Sequence, residues 1–205
     1  MESKDTYHHG DLKNALIRAG GEILAREGAS ALSLRKVARE AGVSHSAPYA
    51  HFKDKQALIA AISMEGFNQL LSNLEKVEKE YIDAPEHLLV EASWVYMQFA
   101  MQESDIFKVM FSGVLEKEKD YPELVEVIQK TFQVVVRVVI ACQAAGILRN
   151  GDAPLIATTI WAQIHGLVCL YLDGQISHTI LDEHTLRDML VFALNQIAIK
   201  SLHAT

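Results

Sequence analysis

The chain has 205 residues, half of them apolar, and its 19 Lys and Arg against 26 Asp and Glu give a formal net charge of −7. A chain of this length can bury a sizeable core as one large domain or two small ones, so we expect a globular protein. The two cysteines, Cys142 and Cys169, lie in apolar patterns without a CxxC motif, which argues against a disulfide framework and against a zinc site.

The N-terminal residues MESKDTYHHGDL lack the apolar core of a signal peptide. We also expect no apolar run near the eighteen or so residues that a membrane span requires. The sequence therefore predicts a cytoplasmic protein without a membrane partner. Only four Pro and eleven Gly interrupt the chain, and no strand pattern is apparent, which favours an all-α fold.

Charge is distributed unevenly along the chain. Residues 1–55 contain nine Lys and Arg against seven Asp and Glu, a net charge of +2, whereas residues 56–205 contain ten against nineteen, a net charge of −9. A basic N-terminal part can approach phosphates while an acidic remainder is repelled by them, although a difference of this size also arises by chance.

Two amphipathic helices are predicted first. Apolar residues recur at steps of three and four from Asp11 to Glu27, and Gly28 follows at the position of a left-handed cap. A shorter helix begins after Ser33, whose side chain can cap the first amides, and ends at Gly42.

A third helix, capped by Ser44 and running to about Phe52, follows after a turn of three to four residues that contains Gly. Two helices joined in this way form a helix-turn-helix motif, whose second helix lies in the DNA major groove. Asp54 is a plausible cap for a fourth helix. We therefore predict a DNA-binding domain at 1–55 with three helices and a larger helical domain at 56–205.

The third helix carries the residues expected to meet DNA. His45, Ser46 and Ala47 occupy its first turn and would face base edges, whereas Tyr49 and the lysines after it would meet phosphates. His51 either packs against its neighbours or touches the DNA backbone. The predicted DNA-binding residues are Ser33, Arg35, Ser44, His45, Ser46, Ala47, Tyr49, His51, Lys53 and Lys55.

The segment SLRKVAREAGVSHSAPYAHFKDKQAL, within residues 11–62, resembles the DNA-binding domain of the TetR/AcrR family of transcriptional regulators. YHHGDL before the first helix and WAQIHGL at residues 161–167 further resemble a subset with a Trp-His-Gly motif in the C-terminal ligand-binding domain. The resemblance implies an obligate homodimer, often a repressor that a ligand releases from DNA.

One residue departs from the family pattern. Many members carry Leu or Ile just before the recognition-helix Tyr, whereas this chain has Pro48. Proline has no amide proton and crowds the carbonyl four residues back, that of Ser44. Because Pro48 lies in or near the first turn, we expect a modest cost to the helix.

The remaining chain predicts further helices, at about 62–81, 86–102, 107–111, 122–145, 154–173 and 182–202. Several of them are rich in aromatic residues and Met. Each such residue suits an ordinary core, but together they suit an apolar cavity for a small molecule. The predicted ligand-binding residues are Trp94, Met97, Phe107, Met110, Phe111, Trp161 and His165.

The last two of these predicted helices are apolar almost all the way round, so each needs a second partner surface. Pairing with the same helices of another copy would form an isologous four-helix bundle. Trp161 and His165, four residues apart, would line either the ligand cavity or this interface.

The sequence as a whole predicts a homodimeric regulator that binds a near-palindromic DNA operator and is released by a small apolar or amphipathic effector. The alternative is a helical carrier or interaction protein with a non-functional DNA-binding part. No repeated Glu-x-x-His pair, HExxH motif or nucleophile elbow is present, so we expect no enzyme, no cofactor and no metal site.

Overall fold

The structure is a computed structural model that describes residues 9–203, with side chains described from residue 12 onwards. Tyr7 and His8 of the YHHGDL motif therefore lie outside the described residues. Within the described range the chain is helical and forms no strand, which confirms the all-α fold class. The nearest approach to a strand there is a single antiparallel bridge between Leu148 and Ala198.

The described α-helices are α1 His9–Glu27, α2 Leu34–Glu40, α3 Lys55–Tyr81, α4 Pro85–Gln102, α5 Ser104–Phe111, α6 Pro122–Ala144, α7 Ala153–Leu172, α8 His178–Glu183 and α9 Leu186–Asn195. Three short 3-10 helices lie at Ala29–Ala31, Ala47–Ala50 and Glu118–Asp120.

The predicted helix ends are confirmed where local chemistry defines them. Gly28 has φ 79° and its amide donates to the Leu24 carbonyl at 2.9 Å, which closes α1. The Ser33 hydroxyl accepts from the Lys36 amide, and the Asp54 carboxylate accepts from the Ala57 amide. Asp152 caps α7 by accepting from the Leu155 amide at 3.0 Å.

The chain forms two compact units. The first consists of the described chain up to Phe67 together with Asp105–Glu126, and the second of Asn68–Ser104 and the chain from Val127 onwards. Helices α3 and α6 each contribute to both units. The domain boundary at residue 55 stays a prediction, and the first unit extends into a segment far beyond it in sequence.

The core of the first unit joins α1, α2 and the first half of α3. Fully buried side chains from these three helices and from α5 pack together, because each helix presents one apolar face. The cluster contains Leu16, Ile17, Ala19, Ile23, Leu24, Leu32, Leu34, Val37, Phe52, Leu58, Ile59, Ile62 and Val109.

The second unit is built around α4, which packs against both α7 and α9. Its core contains Leu89 and Met97 of α4, Ile164 and Val168 of α7, and Leu190 of α9, all nearly inaccessible to solvent. Helix α4 is buried on nearly all sides, whereas α7 and α9 each bury one face.

The prediction of a last helix over 182–202 was wrong. The chain instead forms the short α8, a break, and α9, because Thr185 and Asp188 make a reciprocal capping box that starts a new helix at Leu186. After Asn195 the chain leaves the helix, and the Ile199 amide donates to the Ile147 carbonyl at 2.8 Å. The Asn195 side chain holds the terminal segment through the amide and carbonyl of Leu202.

The expectation that no apolar run reaches membrane-spanning length was also wrong. Among the described residues, α7 is long and apolar enough by length and composition, with only 22% of its apolar window buried. Length and composition alone do not separate a membrane span from an interface helix of a soluble protein.

Candidate nucleic-acid interface and ligand cavity

The turn after α2 sets the direction of the chain into the predicted DNA-contacting segment. The Val43 amide donates to the Ala38 carbonyl at 2.9 Å, and the Gly42 amide donates to the Arg39 carbonyl at 3.2 Å. These two bonds with φ 68° at Gly42 form a Schellman motif, which only glycine adopts without strain. Val43 packs against the apolar core, so the segment that follows begins at the surface.

The prediction of an α-helix from Ser44 to Phe52 was wrong, because residues 45–46 form a turn and Ala47–Ala50 a 3-10 helix. An α-helix would need the amide of residue 48 to donate to the Ser44 carbonyl, and Pro48 has no amide proton. The Ser44 carbonyl instead accepts from the Ala47 amide at 3.0 Å, a bond of the tighter 3-10 type. Pro48 itself is buried, and the modest cost that the sequence predicts for it stays a prediction.

Six of the predicted DNA-binding side chains lie on the surface of this unit. They are Arg35, Ser44, His45, Ser46, Tyr49 and Lys53. The ring of Tyr49 is 54% exposed, although a large aromatic side chain is normally kept from water. The hydroxyl oxygens of Ser44 and Ser46 lie 3.2 Å apart, so the two side chains form one polar edge.

Of the other four predicted residues, two form hydrogen bonds within the chain and two are partly buried. The Lys55 ammonium donates to the Ala29 carbonyl at 2.9 Å, and the Ser33 hydroxyl caps α2. The Nε2 atom of His51 is buried and has no hydrogen-bond partner among the described residues. Ala47 is half-buried. A DNA contact of these four residues stays a prediction.

Two acidic side chains on the surface of the first unit lie in ion pairs. Lys36 contacts Glu27, and Arg26 contacts both Glu27 and Glu40. Lys36 and then Arg26 hold the pKa of Glu27 below its usual value. Glu27, at the end of α1, and Glu40, at the end of α2, are thereby paired with basic side chains, which reduces the repulsion of a polyanion from this surface.

The predicted ligand-binding residues fall into two groups. Phe107, Met110 and Phe111 belong to the first unit. There the rings of Phe107 and Phe111 lie 4.9 Å apart, and Met110 packs so closely over Gly66 that no Cβ would fit. These contacts are those of an ordinary core, and a ligand-binding role for the three residues stays a prediction.

Trp94, Met97, Trp161 and His165 belong to the second unit. Met97 is fully buried, and Trp94 stacks with the guanidinium of Arg187 at 5.2 Å from the ring centre. Neither is among the lining residues of the apolar cavity in this unit. Trp161 does line this cavity, together with other residues that were not predicted from the sequence.

The cavity in the second unit is small, about 40 Å³, and almost wholly apolar. A volume of this size holds about one water molecule, far less than a drug-sized ligand requires. The lining residues are Leu74, Leu89, Ala92, Ser93, Tyr96, Val135, Val138, Val139, Ile160, Trp161 and Ile164.

A chain of polar groups lies at the cavity wall. The indole Nε1–H of Trp161 donates to the hydroxyl oxygen of Tyr96 at 3.2 Å, and that hydroxyl lies 2.7 Å from Nδ1 of His165. The Nε2 atom of His165 lies 3.5 Å from the sulfur of Cys169. Burial lowers the pKa of His165 and raises the pKa of the Tyr96 hydroxyl, so both groups are kept neutral.

Burial also raises the pKa of the Cys142 thiol to about 12, so this cysteine is held as an unreactive thiol. No cluster of metal-ligating side chains occurs among the residues that the structure describes.

The outer side of α7, α8 and α9 is an open apolar depression of about 910 Å³. Ala162 and Gly166 form part of its floor, and a Cβ at Gly166 would meet only open space. Phe192 is 69% exposed there and Leu170 is 51% exposed. A continuous apolar surface of this extent indicates an interaction site.

A Schellman turn that leads into an exposed polar and aromatic segment, on a small three-helix core, defines the class of helix-turn-helix DNA-binding proteins. Residues 16–62 match the family described as "Bacterial regulatory proteins, tetR family", and residues 89–194 match "Tetracyclin repressor-like, C-terminal domain". The chain belongs to the TetR family of bacterial transcriptional regulators. The subset with the Trp-His-Gly motif stays a prediction.

Solved structures of individual proteins share this fold. A structure of a protein with unknown function from Rhodococcus sp. RHA1 is 32% identical, covers 94% of this chain and 96% of its own, and has a TM-score of 0.74. The TetR family transcriptional regulator PfmR from Thermus thermophilus shares the fold, with 16% identity, coverage of 88% and 97%, and a TM-score of 0.72.

An uncharacterized HTH-type transcriptional regulator of Haemophilus influenzae is 35% identical over 66 residues. This similarity spans 32% of the chain and about a third, 35%, of the length of that relative.

Proposed function

We propose that this protein is a cytoplasmic homodimeric repressor that binds a near-palindromic operator and is released from it by a small molecule. The DNA-binding part of this proposal is supported by one observation, a set of exposed side chains held over a buried core. They are Arg35, Ser44, His45, Ser46 and Tyr49. Exposed Tyr and basic side chains contact phosphates, and residues at the tip contact base edges.

The 3-10 segment gives these contacts a definite geometry. Pro48 and Phe52 are buried and fix Ala47–Ala50 from within, while Tyr49 between them points outwards. Tyr49 therefore positions the segment on the phosphate backbone, and His45 with Ser46 approaches the bases from the preceding turn. Lys53, whose ammonium lies 5.7 Å from the ring centre of Tyr121, can reach a neighbouring phosphate.

Dimerisation is supported by α7 and α9. Only 22% of the apolar window of α7 is buried, and Phe192 of α9 is 69% exposed, so each helix presents an exposed apolar face besides the face that packs on α4. A second copy supplies the same apolar surface through a twofold axis, and the small residues Ala162 and Gly166 permit close approach of the helices.

The dimer is tested by light scattering of the Phe192→Glu variant, which should be monomeric. The control is Ile82→Glu, which should remain a dimer, because Ile82 lies between α3 and α4 and is already 50% exposed.

The DNA-binding function is tested by selecting duplexes from a random pool with the purified protein and measuring the affinity for the selected operator. We expect Tyr49→Ala to weaken binding to operator and to random duplex alike, and His45→Ala to change the preferred sequence. Glu22→Ala, on α1, is the control that should leave binding unchanged. Failure of the wild-type protein to enrich any duplex would support the carrier alternative and contradict the proposal.

A further inference from the structure

The hydrogen bonds at the cavity wall have a direction. The indole nitrogen of Trp161 is only a donor, so Tyr96 accepts from it and directs its own proton towards Nδ1 of His165. The neutral imidazole then carries its proton on Nε2, which faces the sulfur of Cys169. The polar hydrogens of Trp161, Tyr96 and His165 are therefore each directed at a partner.

The remaining polar side chain of the cavity wall, Ser93, is also hydrogen-bonded within the protein. The Ser93 hydroxyl donates to the Leu89 carbonyl at 2.7 Å within α4. No Lys, Arg, Asp, Glu or His is among the residues that line the cavity. A charged ligand placed there would lose its hydration and gain no opposite charge in return, which is strongly unfavourable.

Trp161 is the one large wall residue that also reaches solvent, with 37% of its surface exposed. Since the cavity holds only about 40 Å³, a larger ligand such as a substituted benzene needs more space. An outward rotation of the Trp161 side chain enlarges the cavity and breaks its hydrogen bond to Tyr96. The fully buried Leu89 and Val139 offer no comparable route.

We infer that the cavity of the second unit takes an uncharged, mainly apolar molecule, and that Trp161 is the gate that admits it when its hydrogen bond to Tyr96 breaks. This inference deepens the ligand-responsive function proposed above and rests on it for its biological meaning. It excludes ligands that place a carboxylate or a phosphate inside this cavity.

The chain contains two tryptophans, which permits a direct test in solution. The Trp94→Phe variant leaves Trp161 as the only tryptophan, and Trp161→Phe leaves Trp94. Toluene, benzyl alcohol and benzoate serve as probes of similar size, the last of them charged. In Trp94→Phe we expect toluene and benzyl alcohol to shift the Trp161 emission to longer wavelength, saturably, and benzoate to leave it unchanged. In Trp161→Phe none of the three should change the emission of Trp94.

The affinity for each probe is a second readout. It is obtained from the increase in the thermal midpoint of unfolding as the probe concentration is raised. Trp161→Phe keeps the aromatic wall but cannot donate to Tyr96, so it should bind toluene roughly fivefold more tightly than the wild type. Ala92→Leu fills the cavity and should abolish the effect of toluene, whereas Ala144→Leu, at an exposed residue of α6 that lines neither the cavity nor the outer apolar depression, should retain it.

Two results overturn the inference in protein with a wild-type circular dichroism spectrum. One is binding of benzoate as tightly as benzyl alcohol, and the other is the lack of any Trp161 response to both neutral probes. These measurements contain no DNA, so a protein that responds as expected but binds no operator contradicts the proposed function alone.

Discussion

The first unit carries its candidate site on the outside, whereas the second carries its candidate site within. In the first unit a buried core that includes Phe52 holds polar and aromatic side chains such as Tyr49 out in solvent. In the second unit Trp161 is part of the wall of a small apolar cavity, and a further apolar surface lies on the outer side of the helices. A polyanion suits the first arrangement and uncharged apolar partners suit the second.

In the first unit, Tyr49 and Phe52 are three positions apart in the sequence. Substituting each of them distinguishes a residue of the DNA-binding site from a residue of the core. Phe52→Ala removes a ring that is 2% exposed and should lower the free energy of unfolding by about 3–5 kcal/mol. Tyr49→Ala, at 54% exposure, should change it by less than about 0.5 kcal/mol while weakening DNA binding. Urea unfolding followed by circular dichroism measures both, and equal losses of stability would show that Tyr49 belongs to the core.

In the second unit the effect of burial on charge can be isolated with two Arg–Glu pairs. Arg187 contacts Glu91 with side chains 20% and 15% exposed, whereas Arg137 contacts Glu78 at 2.6 Å with its own side chain 50% exposed. Glu91→Gln should cost about 3 kcal/mol, because it leaves a largely buried guanidinium without its counter-charge. Glu78→Gln should cost less than about 1 kcal/mol. Similar costs in urea unfolding would contradict the difference in burial.

Pro48→Ala tests why the DNA-contacting segment is not an α-helix. The new amide can donate to the Ser44 carbonyl, a gain of about 1 kcal/mol, but the loss of proline favours the unfolded chain by a similar amount. Stability should therefore change little, while amide hydrogen exchange at residues 49–51 slows and the operator affinity changes. Unchanged exchange rates would show that another constraint holds the 3-10 form.

The smallest expected effect is a pH dependence in the second unit. Burial lowers the pKa of His165 in the folded protein below 6.5, the value of the unfolded chain. The unfolded state therefore binds more protons as the pH falls, so stability is lost from about pH 6.5 down to the lowered folded pKa. His165→Gln should remove this contribution, and its thermal midpoint should fall less between pH 7.5 and 5.5 than that of the wild type. Parallel curves would contradict it.

These regions also differ in what the sequence could predict. The caps at Ser33, Gly42 and Asp152 and the helix ends they define were predicted because each depends on bonds to residues at most a few positions away. The missing amide proton of Pro48 was recognised from the sequence, but the change of the whole segment to a 3-10 helix was not. The capping box at Thr185 was missed, although Thr-x-x-Asp is a local signal.

The cavity was the least predictable part. Tyr96 contacts Trp161 and His165, which are 65 and 69 positions away, so no local pattern marks it. Its hydroxyl within an apolar helix was the available signal, because a buried Tyr needs a hydrogen-bond partner. Phe107 and Met110 share the composition of a cavity wall but lie in the first unit, and composition alone does not distinguish the two settings.

The central claim is that the exposed edge around His45 and Tyr49 binds DNA. Fluorescence anisotropy with the selected operator and with random duplex, each at two salt concentrations, tests it most directly. The account predicts tighter binding of the operator, a steep loss of affinity with salt for both duplexes, and a shallower salt dependence in Lys53→Ala by about one phosphate contact. Equal affinity for both duplexes, unchanged by His45→Ala and Tyr49→Ala, would contradict it.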